Sequence, residues 1–290
     1  MKKGIKDRTF DFTMIFTTAV ISIACLLPML YMLSVSFSSN YAITARLVTI
    51  WPVEFTLESY KAVLADKSIV GSMIFTIWLT LACTVLSMIM TILCAYPLTK
   101  KNLKGRNIFL VMIVVTMYFS GGMIPEYILV KDLGITDHWA ALMFPYCLSA
   151  FNMIILKTFF TNLPESLEES AYLDGASHFT ILIKIVLPLS KPVLATLALF
   201  YAVGRWNGFQ DALIYINKQE YFPLQLKLYQ LVYNNQMSEI ALAEGMSNQN
   251  VTPEGLKAAA VMFATVPILL VYPWLQRYFI SGVMIGAIKG

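Results

Sequence analysis

Long uncharged apolar tracts alternate with short segments that hold most of the charges. A helix of about 20 residues crosses the hydrocarbon core of a bilayer, at a rise of about 1.5 Å per residue. The pattern therefore predicts an all-α polytopic membrane protein with six transmembrane helices. The fifth span begins near Leu189 and is uncharged only between Lys191 and Arg205. The other five predicted spans are Phe12–Phe37, Ser68–Thr99, Asn107–Pro125, Trp139–Leu156 and Ala258–Gln276.

Basic residues predict the orientation of the spans. They cluster before the first span and in the turn after the second, and the positive-inside rule places such clusters in the cytoplasm. We therefore expect both termini to be cytoplasmic. The predicted organisation is a cytoplasmic tail (1–11) and one transmembrane domain (12–290) with its core at about 68–280, a cytoplasmic loop at about 157–190 and an external loop at about 211–257. The two clusters are Lys2, Lys3, Lys6 and Arg8, and Lys100, Lys101, Lys104 and Arg106.

The composition supports a membrane protein and excludes several other classes. Hydrophobic residues make up 58% of the chain and charged residues 13%, and the mean hydropathy is +0.68. Soluble domains are nearer to a quarter charged. The net charge of +4 is explained by topology and does not require a nucleic-acid partner. All four cysteines lie in apolar tracts without metal-ligand spacing, and with two histidines a histidine-based metal site is not expected.

The predicted cytoplasmic loop contains the most specific local pattern. Asn162 is the expected N-cap of a short helix, Pro164 suits its first turn, and the glutamates that follow favour the positive end of the helix dipole. Gly175 is expected to end or turn this helix, and Pro188 to break a second helical piece before the fifth span. From the residues alone, a helix that docks into a partner and an ordinary amphipathic surface helix are equally acceptable.

The same segment resembles the EAA loop of ABC importer permeases. That pattern is E-A-A, three residues, G, nine residues and I-x-L-P, and its spacing fits at every position, with Ser170 in place of the middle alanine. Asp174 and Ala176 also match the common D-G-A form. In that family the loop forms a coupling helix that sits in a cleft of the ATPase. The resemblance implies ATPase-coupling roles for Glu169, Ser170, Ala171, Asp174, Gly175, Ala176, Ile185, Leu187 and Pro188.

Several other stretches resemble carbohydrate-uptake permeases of the MalG type, and among them the LplC/YtcP-like branch. The C-terminal segment from Gln276 to Gly290 is similar to the ending of that type. The branch resemblance rests on Ile50–Tyr60, Gly121–Pro125 and Ser149–Ile154. Members of this branch are associated with oligosaccharide uptake, so the implied substrate is a sugar or an oligosaccharide.

The resemblance also implies the type I architecture and a set of partners. These are a second, homologous permease subunit, a dimer of ABC ATPases and an extracellular sugar-binding lipoprotein, assembled in the bacterial cytoplasmic membrane. The chain lacks the G-x-x-x-x-G-K-[ST] phosphate loop. We therefore expect no cofactor and no enzymatic activity in this chain, with ATP and magnesium bound by the ATPase.

A sugar path should present aromatic, amide and hydroxyl groups at membrane depth, and a few side chains match this chemistry. Each has an alternative: an interfacial anchor for Trp206, a helix–helix hydrogen bond for Asn152, and packing for Tyr118 and Tyr146. Arg205 is expected to pair with Asp211 or to snorkel to the headgroups, with attraction of an acidic sugar as a third possibility. The path candidates are Tyr118, Asn152, Arg205, Trp206, Asn207 and Gln210.

Two other functions compete with a permease of this kind. An ion-coupled secondary transporter of a small polar solute needs acidic residues inside the spans, and these are nearly absent. A membrane-embedded enzyme needs a catalytic constellation at the bilayer face, and no His/Glu metal set or nucleophile–base pair is evident. The EAA-like loop favours the importer permease over both.

Overall fold

The computed structural model describes residues 5–243 and 252–287, and describes side chains for residues 10–233 and 252–271. Lys2 and Lys3 of the basic tail, residues 244–251 of the predicted external loop and Ile288–Gly290 of the C-terminal segment lie outside the described residues. No β-strand occurs within the described ranges. The fold there is all-helical, as the sequence predicts.

Fourteen α-helical segments follow one another along the described chain, with a π-helical stretch, Leu182–Val186, between α9 and α10. Short 3-10 turns occur at Pro97–Thr99, Trp139–Leu142 and Gln219–Tyr221. The α-helices are α1 Ile5–Ser36, α2 Asn40–Thr44, α3 Glu58–Ala65, α4 Lys67–Ala95, α5 Arg106–Tyr118, α6 Met123–Asp132, α7 Ala150–Thr161, α8 Glu165–Leu173, α9 His178–Ile181, α10 Leu187–Leu189, α11 Lys191–Asn207, α12 Gln210–Tyr215, α13 Leu224–Ala243 and α14 Pro253–Ala287.

Within the described residues, three stretches of helix are long and apolar enough to cross a membrane: Phe10–Ser36, Lys67–Thr99 and Pro253–Val271. Two bent pairs, α5 with α6 and His178–Leu189 with α11, raise the number to five if each pair is one span. The structure thus supports a membrane-inserted chain with three to five candidate spans in its described part. Six spans and the cytoplasmic placement of both termini stay predictions.

The predicted third span is not one continuous helix. α5 ends at Tyr118, and α6 begins at Met123 after a bend of 117°. Gly122, between the two helices, has a φ of +87°, a conformation that glycine adopts without steric cost. The apolar composition of Asn107–Pro125 does not mark this bend, because the uncharged tract continues through it.

The prediction of a helical span over Trp139–Leu156 is also wrong in its detail. A 3-10 turn covers Trp139–Leu142, the next seven residues are not α-helical, and α7 begins only at Ala150. Pro145 lies in the interruption, and the Ser149 side chain caps α7 by accepting a hydrogen bond from the backbone N–H of Asn152 at 3.3 Å. With 12 residues, α7 is roughly 18 Å long, too short to cross a bilayer core of about 30 Å.

The predicted external loop at about 211–257 is largely helical where it is described. α12, a 3-10 turn and the 20-residue α13 occupy most of it, and α14 begins at Pro253. The polar, Asn/Gln-rich composition suggests a loop, but α13 contains no glycine or proline, so nothing in its sequence breaks a helix.

The chain divides into two compact units that interleave along the sequence. The first comprises Met1–Val70 and Lys227–Val266. In this unit the Asn40 side chain accepts a hydrogen bond from the backbone N–H of Thr252 at 3.0 Å, just before α14. A buried cluster joins the end of α1, the α2 region and the first part of α14: Val35, Ala42, Ile43, Val48 and Ala258.

The second unit comprises Gly71–Leu226 and Pro267–Gly290 and has two buried clusters along α4. Each cluster includes residues from a different part of α4, so both clusters pack against this helix. The cluster at the N-terminal half includes Leu79, Cys83, Ala141, Leu142, Ala212 and Tyr215. The cluster at the C-terminal end includes Ala95, Tyr96, Leu98, Leu156, Phe160, Ala171, Ile181 and Leu197.

Candidate functional site

A cavity of about 680 Å³ lies in the second unit, next to the middle of α4 and the ends of α11 and α12. This volume is within the ordinary range of sites for small ligands, roughly 300–1,000 Å³. Among its described lining residues, the only charged side chains are Arg205 and Asp211. The other polar or aromatic ones are Ser87, Tyr146, Ser149, Asn152, Phe200, Tyr201, Asn207, Phe209 and Gln210.

Arg205, in the last turn of α11, is neutralised within the chain. Its Nη1 donates to Oδ2 of Asp211 at 2.5 Å, and its Nη2 donates to Oδ1 at 3.0 Å. The same two nitrogens donate to the carbonyl oxygens of Leu142 at 3.0 Å and Gly208 at 3.2 Å. The two charged side chains are 8% and 10% exposed, so the pair is largely removed from water. Of the three alternatives that the sequence leaves open for Arg205, the structure therefore shows pairing with Asp211.

Gly208 allows this close approach between a side chain and the backbone. A Cβ atom at this position would lie 2.8 Å from Nη2 of Arg205 and 3.2 Å from its Cζ. Because both terminal nitrogens of the guanidinium are held by Asp211, the side chain cannot move away freely. The α11–α12 connection thus needs a residue without a side chain here.

Tyr201 joins three elements at the cavity wall. Its hydroxyl shares a hydrogen bond with Oγ1 of Thr91 in α4 at 2.7 Å, and it accepts one from the backbone N–H of Ser149 at 3.1 Å. The connection therefore runs from α4 through α11 to the start of α7. A hydroxyl that bonds two other elements in this way helps to fix the positions of the helices around the cavity.

The Asn152 side chain is 6% exposed and lines the cavity. Its amide has no hydrogen-bond partner among the described residues. An amide that borders a cavity and is not engaged elsewhere is suited to bind the hydroxyl groups of a ligand.

The structure brings four of the six predicted path residues together and leaves two outside. Asn152, Arg205, Asn207 and Gln210 line the cavity. Trp206 is buried, at 7% exposure, but does not line it, and its indole Nε1 has no hydrogen-bond partner in the described part of the chain. Tyr118, at the end of α5, is 79% exposed and also lies away from the cavity lining.

Four hydroxyl-bearing lining residues are not among the predicted path residues. Tyr146 was weighed as a packing residue, whereas Tyr201, Ser149 and Ser87 had no signal of their own. The hydroxyls of Ser87 and Tyr201 do lie in predicted spans, on α4 and α11. Polar side chains that recur at helical spacing in neighbouring predicted spans are the sequence signal that could have identified these two lining residues.

α8 forms at the place predicted for the coupling helix, but with a different N-terminus. Asn162 is the C-cap of α7 and not the N-cap of α8, which has Pro164 at that position without a side-chain cap. Glu165 and Glu168 occupy the first turn, where carboxylates interact favourably with the helix dipole. The prediction for Asn162 is therefore wrong because α7 extends to Thr161 and uses this residue as its own end.

Gly175 ends α8 in a Schellman motif. Its φ is +80°, its N–H donates to the carbonyl of Tyr172 at 3.0 Å, and the N–H of Ala176 donates to the carbonyl of Ala171 at 2.9 Å. This pair of bonds satisfies carbonyls that the end of the helix leaves without partners. A Cβ at Gly175 would meet no atom within 4 Å, so the requirement for glycine is conformational and not steric.

One face of α8 and of the turn after it is exposed, and the other face packs against the rest of the second unit. Glu169, Ser170 and Asp174 are exposed, and Leu173 is 89% exposed. Ala171 is buried in the cluster at the end of α4, where Ala176, Ile185 and Leu187 pack as partly buried neighbours. An exposed apolar tip on an anchored helix is the arrangement that a docking surface requires.

The chain between the loop and α11 is bent, not straight. His178–Leu189 and α11 meet at an angle of 84°, with Ser190 between them. Pro188 lies within the last helical turn before the bend, two residues after the end of the π-helical stretch, and Pro192 is the second residue of α11. The predicted break therefore occurs two residues after Pro188. Prolines and π-turns are recognised causes of such kinks.

The described chain is helical and membrane-inserted and contains a polar cavity, and α8 packs against its core with one face exposed. This is the organisation of a transport subunit. Residues 88–285 match the family described as the inner membrane component of binding-protein-dependent transport systems. The chain belongs to this family. Its function is that of a permease subunit of an ABC importer, in which ATP hydrolysis is carried by a separate ATPase.

Individual relatives match over nearly the whole chain. LplC of Bacillus subtilis is 43% identical, covering 98% of this chain and 96% of the relative. The polygalacturonan/rhamnogalacturonan permease YtcP of the same organism is 37% identical, covering 99% and 100%. The trehalose/maltose permease MalG of Thermococcus litoralis is 28% identical, covering 96% of both chains.

Solved structures agree with this assignment. A chain of a bacterial ABC transporter involved in the import of the acidic polysaccharide alginate matches with a TM-score of 0.88 and 32% identity, covering 96% of this chain and 99% of that one. A second chain, from an alginate transporter in complex with an alginate pentasaccharide-bound periplasmic protein, has a TM-score of 0.59 and 15% identity, covering 94% and 95%. The second match supports the fold alone.

Proposed function

We propose that this chain conducts sugars or oligosaccharides through the bacterial cytoplasmic membrane as half of an alternating-access path. The observation that carries the substrate class is the cavity, which offers amides, hydroxyls and aromatic rings and no free charge among its described lining residues. Hydroxyl-rich ligands need donors and acceptors of this kind, and aromatic faces suit the apolar faces of sugar rings. The names of YtcP, of MalG and of the alginate transporter refer to carbohydrates, which supports the same class.

The ion pair at the cavity bears on how transport is driven. Asp211 is the only carboxylate among the described lining residues, and both of its oxygens accept hydrogen bonds from Arg205. An ion-coupled transporter needs a carboxylate that is free to bind and release its ion. The pairing of Asp211 therefore favours transport driven by the ATPase.

We infer that the ATPase is coupled through α8 and the turn that follows. The exposed residues Glu169, Ser170 and Asp174, with the Leu173 side chain at the tip, supply the surface for the cleft of the ATPase. Gly175 turns the chain, and Ala171 and Ala176 attach the helix to the core. Ile185, Leu187 and Pro188 then lead to the bend before α11, which ends at the cavity.

The proposed assembly contains this chain, a second homologous permease subunit, an ABC ATPase dimer and an extracellular sugar-binding lipoprotein. This chain would contribute six spans with both termini in the cytoplasm. Binding of ATP would bring the ATPases together and move α8, and the spans would then change between inward-open and outward-open states.

The proposal is tested with the complete importer, purified through a tag on this chain and reconstituted in proteoliposomes with its binding protein. We expect ATP-dependent uptake of labelled oligosaccharides, without a requirement for a proton or sodium gradient. Asn152→Leu should lower the rate of uptake about tenfold, the effect of one lost hydrogen bond of roughly 1–1.5 kcal/mol. Tyr118→Phe, outside the cavity, is the matched control. Uptake driven by an ion gradient without ATP contradicts the proposal.

A further inference from the structure

The turn between α4 and α5 holds α8 by two ion pairs. Nζ of Lys100 donates to the carboxylate of Glu168, and Nζ of Lys101 donates to Oε1 of Glu165 at 2.7 Å. The two glutamates are three residues apart and therefore lie on the same face of the helix. Glu169, the next residue along, forms no ion pair among the described residues and is exposed.

The two pairs differ in their surroundings. The side chains of Lys100 and Glu168 are 25% and 23% exposed, whereas those of Lys101 and Glu165 are 74% and 71% exposed. The hydrogen bond from Lys101 lowers the pKa of Glu165, but an exposed pair of this kind contributes little to rigidity. The Lys100 pair is partly shielded from water, so its attraction is screened much less.

Lys100 also makes a second, specific contact. Its Nζ lies 4.4 Å from the centroid of the Tyr96 ring, which is within the range of a cation–π interaction. Tyr96 is 6% exposed and packs edge-on against Phe160, with 6.3 Å between the ring centroids. The ammonium group of Lys100 is thus held between a buried ring and the carboxylate of Glu168.

These contacts connect three elements of the second unit. Tyr96 follows α4, Phe160 lies in the last turn of α7, and Glu168 lies on α8. Ala171 of α8 is buried in the same cluster as Tyr96 and Phe160. α8 is therefore attached to α4 by packing and by a directional charge contact, in addition to its covalent connections to α7 and α9.

We propose that Lys100 is a positioning residue that makes α8 move together with the C-terminal end of α4. Displacement of α8 would then reach the cavity by two routes, along the chain to α11 and directly to α4, whose residues Cys83 and Ser87 line the cavity. This inference rests on the proposed function of α8 as the helix that docks on the ATPase.

The test compares Lys100→Met with Lys101→Met in the complete importer in proteoliposomes. Both variants remove one positive charge from the same turn, so their effects on membrane topology are matched. We expect Lys100→Met to lower the amount of sugar transported per ATP hydrolysed about five- to tenfold, within the usual range of coupling between sites. Lys101→Met should change this ratio less than about twofold, because its pair is exposed. Lys100→Arg, which keeps the cation over the ring, should restore the ratio.

The transport-to-hydrolysis ratio separates positioning from a merely structural role. A general loss of stability lowers the amount of assembled complex, and it reduces transport and hydrolysis together without changing their ratio. An unchanged ratio in Lys100→Met overturns the inference. Gly175→Val in the same assay keeps the two proposals distinguishable: if it uncouples transport while Lys100→Met does not, only the role of Lys100 fails. If neither variant changes the ratio, the proposed function of α8 fails as well.

Discussion

Both terminal nitrogens of Arg205 donate to the carboxylate of Asp211, at 2.5 and 3.0 Å, across the break that separates α11 from α12. The two residues are six positions apart, so the pair closes the connection between these helices. It also cancels the only charges among the described residues that line the cavity. The geometry of this connection and the neutrality of the cavity therefore depend on the same contact.

Removing one partner of this pair should be costly. Asp211→Ala leaves the guanidinium of Arg205 at 8% exposure without its counter-charge. We expect the free energy of unfolding to fall by about 3–5 kcal/mol, the usual cost of breaking a buried pair. Denaturant titration of the purified chain in detergent, monitored by circular dichroism, measures this change.

The double variant Arg205→Met, Asp211→Leu is the control for that prediction. Replacing both charges with apolar side chains leaves no uncompensated charge, and such exchanges are often neutral. The double variant should therefore be more stable than Asp211→Ala alone. If it is equally unstable, the loss comes from packing and not from the orphaned cation.

Gly208 should tolerate no side chain. In Gly208→Ala the new Cβ would lie 2.8 Å from Nη2 of Arg205, and the pair with Asp211 must loosen to make room. We expect a loss of about 1–3 kcal/mol in unfolding free energy, as for other overpacked sites. Gly204→Ala is the matched control, because a Cβ there meets no atom within 4 Å and the position is helical. Equal stability of the two variants would contradict this account.

The effect of a substitution at Gly175 should depend more on the backbone conformation that the new residue prefers than on the size of its side chain. Gly175→Val places a β-branched residue at a φ of +80°, where L-residues are disfavoured by roughly 1–2 kcal/mol. The turn after α8 should then rearrange, so that ATP hydrolysis continues while uptake falls and the complex still inserts in the membrane. Gly175→Asn should retain more uptake, since asparagine enters this conformation more readily. Uptake and hydrolysis measured together in proteoliposomes check this, and normal uptake by Gly175→Val is the opposing result.

Local features of the fold were predictable from the sequence. The turn at Gly175 depends on its own backbone and on bonds to residues three to five positions away, so a short pattern contains the information. The turn that ends α8 is a local feature of this kind. The bend between α5 and α6 is not, because the uncharged tract continues through it and only Gly121 and Gly122 mark the position.

The cavity was predictable only in part, because its contacts join distant parts of the chain. The hydrogen bond between Tyr201 and Thr91 spans 110 residues, and that from Arg205 to the carbonyl of Leu142 spans 63. No local pattern records these pairings. Trp206 follows Arg205 on a helix that turns about 100° per residue, so its side chain leaves α11 in a different direction. The suitability of its aromatic ring for binding sugars is therefore a poor guide to its position.

A last prediction concerns Asp137, which connects the segment after α6 to the segment after α12. One carboxylate oxygen accepts from the backbone N–H of Asn217 and, at 3.3 Å, from that of Lys218, while its own N–H donates to the carbonyl of Tyr215 at 2.9 Å. Asp137→Ala removes the oxygen that accepts both of these bonds and puts alanine at a φ of +56°. We expect faster amide hydrogen exchange at Asn217 and Lys218, measured by mass spectrometry. Asp132→Ala, on the exposed surface of α6, should leave that exchange unchanged.

The hydrogen bonds that Asp137 accepts also determine how protection of these two amides depends on pH. The backbone N–H of Asn217, more than any other group, lowers the pKa of Asp137 below its ordinary value of 3.8. A carboxylate with a depressed folded-state pKa stabilises the fold above the unfolded-state value, and the contribution is lost as the pH falls through the folded-state pKa. Protection of the two amides, corrected for intrinsic exchange, should therefore stay constant from neutral pH down to about pH 5 and decrease only below pH 3.8. A decrease that begins between pH 5 and 7 would assign the connection to another group, since Asp137 remains ionised throughout that range.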